Sequence, residues 1–295
     1  MAAFAEQAVA EPPPAQTVGY WAGVWRRLRR DPVAIGAGIV ILLLILMAVF
    51  APYVAPADPL RASTLRRLRP IGSPGFPLGS DELGRDMLSR LIFGARLSLF
   101  MGITPVILAF FIGSGIGILA GYVGGRTNTL IMRTIDVFYA FPSVLLAVAL
   151  SGALGAGLGN ALVSLTVVFV PQIARVAEAV TTQVRGRDYV EAARASGAGG
   201  LTIVWVHVLG NVLGPIFVYA TSLISVSMIL ASGLSFLGLG TRPPDPEWGL
   251  MLNTLRTAIY VQPWLAALPG VMIFITSIAF NLLADGLRSA MDVKQ

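Results

Sequence analysis

The chain has 295 residues, of which 56% are hydrophobic and only 12% charged, and its mean hydropathy is +0.77. Soluble domains carry about 25% charged residues, so a chain this apolar cannot hide its surface from water and reads as an integral membrane protein. The net charge of +6 is almost wholly arginine set beside apolar runs, which is membrane-flanking charge facing lipid headgroups rather than a nucleic-acid footprint.

The residue inventory removes several chemistries. There is no cysteine, one histidine (His207) and one lysine (Lys294). A phosphate-binding P-loop needs G-x-x-x-x-G-K-[ST], and Lys294 is followed only by Gln295, so ATP hydrolysis by that route is excluded. Zinc, iron–sulfur and haem sites need clusters of Cys or His, and disulfides cannot form. The sequence thus calls for no cofactor or metal in this chain and offers no catalytic residue.

In chain order, residues 1–31 form a leader. Its first 20 residues are rich in Ala, Pro and Gln without apolar period, which predicts disorder. Arg26, Arg27, Arg29 and Arg30 then place the N-terminus in the cytoplasm. Residues 32–295 are the membrane domain. A charge-free run from Pro32 to Ala57 exceeds a secretory h-region and predicts an uncleaved first span at about 33–54.

A polar segment at 58–96 follows, carrying seven arginines against Asp58, Asp81, Glu82 and Asp86. Within it, 86–96 sets Leu88, Leu91, Ile92 and Ala95 on one face, which predicts a separate amphipathic helix at the membrane surface. Ser80 and Asp81 before it are the expected caps.

The second span is expected at 97–121, where Gly113, Gly117 and Gly121 repeat every four residues as a stripe for close helix packing. The window 137–174 holds Gly155, Gly157, Gly159 and Asn160 near its middle, so it reads as a hairpin of spans at 135–154 and 160–180. The window 195–241 is long enough for two helices, but glycines and His207 at its start and the Gly- and Pro-rich stretch 233–246 at its end favour one span at 211–232. A sixth span lies at 264–284. Asp136, Glu178 and Asp285 fall near the expected cytoplasmic ends, while Asn281 lies deeper, either bonding across helices or lining the path.

Between the fourth and fifth spans, Asp188 to Ser196 favours a short helix. Ala192 and Ala193 offer it a smooth face, Glu191 one directional charge, and Gly197 a left-handed stop. The run Glu191-Ala192-Ala193, three residues, Gly197, nine residues, then His207-Val208-Leu209 has the spacing of the E-A-A motif of ABC importer permeases, which it resembles. Gly210 stands where that family usually has proline. The stretches 78–91 and 233–240, with Pro243, Pro244, Trp248 and Gly249, resemble the C-type permease of dipeptide, oligopeptide and nickel importers; Ala231 replaces a common glutamate.

The resemblance covers about 26–292. It implies an all-α, six-span type I ABC importer permease whose 188–196 segment is the cytoplasmic coupling helix. Implied with it are a B-type permease partner in a heterodimer, two cytoplasmic ABC ATPase subunits that bind ATP and Mg, and an extracytoplasmic solute-binding protein. Peptide is the leading solute, with nickel, glutathione and opines as alternatives. Two other classes compete: a secondary transporter, disfavoured by spans without embedded charge, and an intramembrane serine protease built on Ser235 and His207, disfavoured because Phe236 and Leu237 do not complete the expected glycine pattern and His207 lies at a span edge.

Overall fold

The structure, a computed structural model, describes residues 20–291; the leader before residue 20, and Lys294, lie outside the described residues. Among these the chain is helical, with only two isolated β-bridges, at Ser73–Phe76 and Ser80–Asp86. Five helices are long and apolar enough to cross a membrane, and a bent pair makes a sixth crossing when counted as one.

α1 (Tyr20–Leu28) ends just before Asp31, whose carboxylate accepts from the backbone N–H groups of Val33 (2.9 Å) and Ala34 (3.2 Å) and so caps α2 (Pro32–Val49). Pro32 at the first position suits that start, since its missing N–H is unpaired there in any helix. One face of α2 is packed and the other exposes Val33, Ile39, Leu42, Leu43 and Val49, as a lipid-facing helix does. The short α3 (Ala51–Val54) follows.

α4 (Met87–Val123) spans 37 residues, about 55 Å at 1.5 Å per residue. The expected surface helix at 86–96 and the expected span at 97–121 are therefore one continuous helix. Nothing between them breaks the hydrogen-bond ladder, and Leu91, Ile92 and Ala95 bury against neighbouring helices. Its cap is Asp86, not Ser80 or Asp81.

The expected third span, 135–154, is not one helix. α5 (Gly125–Tyr139) and α6 (Ser143–Leu154) meet at an angle of 86°. The cause is Pro142, which pushes Phe141 out of the helical region and supplies no N–H to continue the ladder. α7 (Leu158–Arg185) leads to α8 (Asp188–Ala195).

Helix then resumes earlier than expected. α9 (Gly200–Ile203), a π-helical turn at Val204–Val208 and α10 (Leu209–Phe236) run on without a break. Glycine at 210 leaves the backbone N–H that a proline would remove, so the helix continues through the site and absorbs the misfit as a wide turn. α11 (Trp248–Thr254) and α12 (Pro263–Met291) complete the order.

Packing fixes which end is which. α4 and α7 lie parallel: a Cβ at Gly113 would meet Val170 O at 2.9 Å, and one at Gly121 would meet Glu178 O at 2.7 Å. The start of α4 and the loop before it therefore occupy one end of the bundle and α8 the other. Arg27 donates to Ala290 O (3.3 Å), so the described chain begins and ends together. α2 rises from there to Arg96 near the opposite end of α4, which puts both ends of the described chain at the α8 end.

Candidate functional site

α8 is built from local signals. It carries acidic residues, Asp188 and Glu191, in its first turn and Arg194 in its last, the order that complements a helix dipole. It stops in a Schellman turn: Gly197 has φ +83°, Ala198 N–H donates to Ala193 O (3.1 Å) and Gly197 N–H to Arg194 O (3.0 Å). Only Val190 of α8 is buried, fully, as part of the apolar core that α7, α9 and α10 share. Glu191 and Ala192 are exposed and Ala193 is half-buried. The Tyr189 ring lies 6.3 Å from that of His207, on the π turn that leads into α10. α8 packs against α7 and α9, and α9 runs on through the π turn into α10.

The glycine stripe lies against α7 of the same chain. Gly113, Gly117 and Gly121 face Ile173 and Ala174, Ala177, and Thr181 in turn, with no room for a side chain at any of them. Below the stripe, Glu178 accepts from Asn128 Nδ2 (2.7 Å) and Thr182 Oγ1 (3.1 Å), and Asp136 pairs with Arg175, whose guanidinium sits 4.8 Å above the Tyr139 ring. Each of these acids is thus partnered by a residue of a neighbouring helix.

The opposite end is tied by buried charge. Asp81 pairs with Arg85 (2.6 Å) and Arg90 (3.3 Å), and all three are at most 4% exposed. Arg90 also donates to Pro59 O (3.2 Å) and Pro244 O (3.4 Å), joining two distant loops. Ser89, held by Asp86, accepts from Ala57 N–H (3.0 Å).

The sequence reading missed Glu247. It is 1% exposed, caps α11 through Gly249 N–H and Leu250 N–H (both 2.8 Å), and accepts from Ser98 Oγ (3.1 Å). Burial pushes its carboxyl above the usual range, partly offset by those bonds. Trp248 beside it is fully buried, with Nε1 donating to Leu91 O (3.0 Å). The available signal was an acid placed directly before Trp-Gly, in a loop otherwise made for turning.

Ser235, at the far end of α10, is separated from His207 by 28 residues, about 42 Å of helix. They cannot form a protease pair. Ala231 is 2% exposed in the apolar core, where a glutamate would be unsolvated. Asn281 is exposed and makes no cross-helix bond among the described residues; it lines a groove of about 370 Å³ between α10 and α12 with Ser225 and Ser277.

A bundle of membrane crossings with an exposed, small-faced helix docked at one end has the architecture of a multi-pass membrane permease. Residues 113–294 match the family described as binding-protein-dependent transport system inner membrane component, and residues 19–70 match the N-terminal TM domain of oligopeptide transport permease C. The chain belongs to that family, as a C-type permease of the peptide ABC importer group. It is 42% identical over 274 residues to the glutathione transport system permease protein GsiD of Pectobacterium atrosepticum, covering 93% of this chain and 91% of that protein. It is 43% identical over 275 residues to the di/tripeptide transport system permease protein DppC of Pseudomonas aeruginosa, covering 92% and 91%. Its fold resembles the inward-facing MetNI methionine ABC transporter, with a TM-score of 0.56 and 22% identity over 69% of this chain and 97% of that one.

Proposed function

We propose that this chain is one half of a heterodimeric pore, completed by a B-type permease, that carries peptides into the cytoplasm on ATP hydrolysis. Two cytoplasmic ABC ATPase subunits bind the ATP and Mg; this chain contributes no ATPase site. An extracytoplasmic solute-binding protein captures the solute and sets most of the selectivity. The names of the relatives favour a peptide solute, and glutathione, itself a tripeptide, is the alternative of the same chemistry. Both termini and α8 are cytoplasmic, and 58–96 is external. That orientation rests on the common end shared by α8, Arg27 and Ala290, where Arg185, Arg187 and Arg194 also collect.

The observation that carries the proposal is α8 itself. Glu191 and Ala192 stand in solvent on a helix with a single buried residue, and close approach of a partner backbone needs that small face. Glu191 then meets a basic residue of an ATPase subunit, and truncating one member of such a desolvated pair costs about 2–5 kcal/mol of contact. Glu191→Lys adds repulsion and is expected to do more harm than Glu191→Ala. Gly197→Val forces a β-branched residue to φ +83° and unmakes the turn that ends α8. In vesicles holding the complete complex, both Glu191→Lys and Gly197→Val should lower solute-stimulated ATP hydrolysis and peptide uptake by about tenfold or more, with membrane insertion intact. Wild-type coupling in both variants would overturn the assignment of α8.

A further inference from the structure

Four arginines precede α2 within five residues: Arg26 and Arg27 lie in the last turn of α1, and Arg29 and Arg30 form the turn that follows. All four are exposed, and among the described residues no carboxylate forms an ion pair with any of them. Two acids lie in the neighbouring segments. Asp31, next in the chain, is engaged in capping α2. Asp285 sits on α12 five residues before Ala290, about 7 Å deeper in the bundle and about 140° round the helix from it. Asp31 offsets one of the four charges, and a net positive surface remains.

The depth of this cluster follows from α12. A Cβ at Gly286 would collide with Ala34, so the start of α2 is level with Gly286. Ala290 lies one turn further out, about 6 Å. There Arg27 donates to the Ala290 carbonyl (3.3 Å), and α1 packs against α12 with Val24 buried and Leu28 half-buried. The exposed apolar face of α2 begins at Val33, and a headgroup layer is about 5–8 Å thick per side. α1 therefore meets α12 within that layer. Trp25, next to Val24, is 55% exposed, and the Arg29 guanidinium lies 4.8 Å from the centre of its ring. An exposed indole among arginines at this depth is the composition of an interfacial helix, apolar on one side and cationic on the other.

We infer that α1 and the turn after it are a binding surface for anionic phospholipid, with Arg26, Arg29 and Arg30 on the headgroup phosphate and Trp25 at the top of the acyl chains. Guanidinium groups suit phosphate oxygens through paired N–H donors. A zwitterionic headgroup brings an ammonium of its own, so a net positive surface prefers the anionic one. Because Arg27 ties α1 to Ala290, lipid held here also pins the joined ends of α2 and α12 to one leaflet. The inference stands on the depth of α1, and depends neither on the direction in which the chain crosses the membrane nor on the solute.

The test uses the full chain in neutral detergent, titrated with phosphatidylglycerol or phosphatidylcholine brominated near the top of the acyl chain, and reads tryptophan quenching. Phosphatidylglycerol should half-quench at a concentration about tenfold or more below that of phosphatidylcholine, since each arginine at an anionic surface is worth about a fivefold gain. Salt should narrow that gap. Arg26→Gln with Arg29→Gln and Arg30→Gln should bring the two lipids within about twofold of each other, with the melting temperature unchanged; Arg27 stays in place because it bonds Ala290. Trp25→Phe should remove the selective part of the quench, which assigns it to this surface rather than to other arginines of the chain. Inorganic phosphate at the same concentration should not compete. Equal quenching by the two lipids in the wild type, or an undiminished preference in the triple variant or in Trp25→Phe, overturns the inference. If that triple variant also fails to assemble with ATPase subunits, the surface belongs to a protein partner. Full competition by inorganic phosphate overturns the inference in favour of a free-anion site.

Discussion

The two ends of this permease use charged residues in opposite ways. At the end formed by the 58–98 and 237–255 segments, Asp81, Arg85, Asp86, Arg90 and Glu247 are buried and partnered by one another, by loop carbonyls and by helix N–H groups, with one Asp86 oxygen left without a partner among the described residues. At the α8 end, Asp188, Glu191 and Arg194 are exposed and the helix is held by Val190, the half-buried Ala193 and the Tyr189–His207 ring pair. Buried charge is costly to desolvate and fixes a geometry once paired, whereas exposed charge on a lightly anchored helix is free to find a partner and to move with it. The first end is built to hold its shape, the second to be pushed.

The largest effect expected from this contrast is on folding. Asp81→Ala leaves Arg90 buried without its counter-charge and Arg85 with only the longer contact to Glu82 (3.4 Å), and removing one member of a buried pair costs about 3–5 kcal/mol. The purified variant should melt far below the wild type in detergent, or fail to be extracted as a single species. Glu191→Ala, tested alongside, should melt within about 0.5 kcal/mol of the wild type, as surface substitutions do. Equal damage from the two would erase the distinction between a fixed end and a movable one.

Between the ends, the α4–α7 seam sets a second, smaller contrast on a single helix. Gly117→Leu drives a side chain into the Ala174 carbonyl and Ala177, and overpacking of this kind costs about 1–3 kcal/mol or more. Gly115, one half-turn away, faces open space, and Gly115→Ala should be neutral or stabilise by up to about 1 kcal/mol through helix propensity. Thermal melts of the two variants check it, and a Gly117→Leu protein as stable as Gly115→Ala would show that the seam is loose.

What the sequence discloses follows the range of the interaction. α8 was legible because its start, its alanine face and its glycine stop lie within ten residues and act through local hydrogen bonds. The glycine stripe was legible as a period, although its partner, α7, lies some 60 residues on and only the fold reveals it. The break at Ala140–Pro142 was marked by a proline yet hidden inside a charge-free run, where hydropathy has no contrast to show. The charges of the 58–96 segment were the least legible. Arg85 and Arg90 bury against Asp81 while Arg66 and Arg67 stay outside, and neither spacing nor composition separates such neighbours. Glu247 was passed over for the same reason, since its value lies in Ser98, about 150 residues away.

Glu247 also gives the smallest effect, one that sharpens the picture of a fixed end by asking what it costs in acid and base. Its neighbours within hydrogen-bond reach, Ser98, Thr241 and the Gly249 and Leu250 N–H groups, are all uncharged, so burial is the main influence and raises its pKa above the usual value of about 4.3. A carboxyl whose pKa is higher folded than unfolded favours the protonated folded state. Its stabilising contribution is therefore complete below the unfolded pKa and is lost as pH rises through the folded one. Glu247→Gln keeps the shape of the side chain, loses one of the two N–H contacts and does not titrate. Melting temperature should fall for the wild type from acid towards neutral pH relative to this variant, and the difference between the two profiles is the contribution of Glu247. Parallel profiles across that range would mean that the carboxylate is as well satisfied charged as neutral, and that the two backbone N–H groups outweigh its burial.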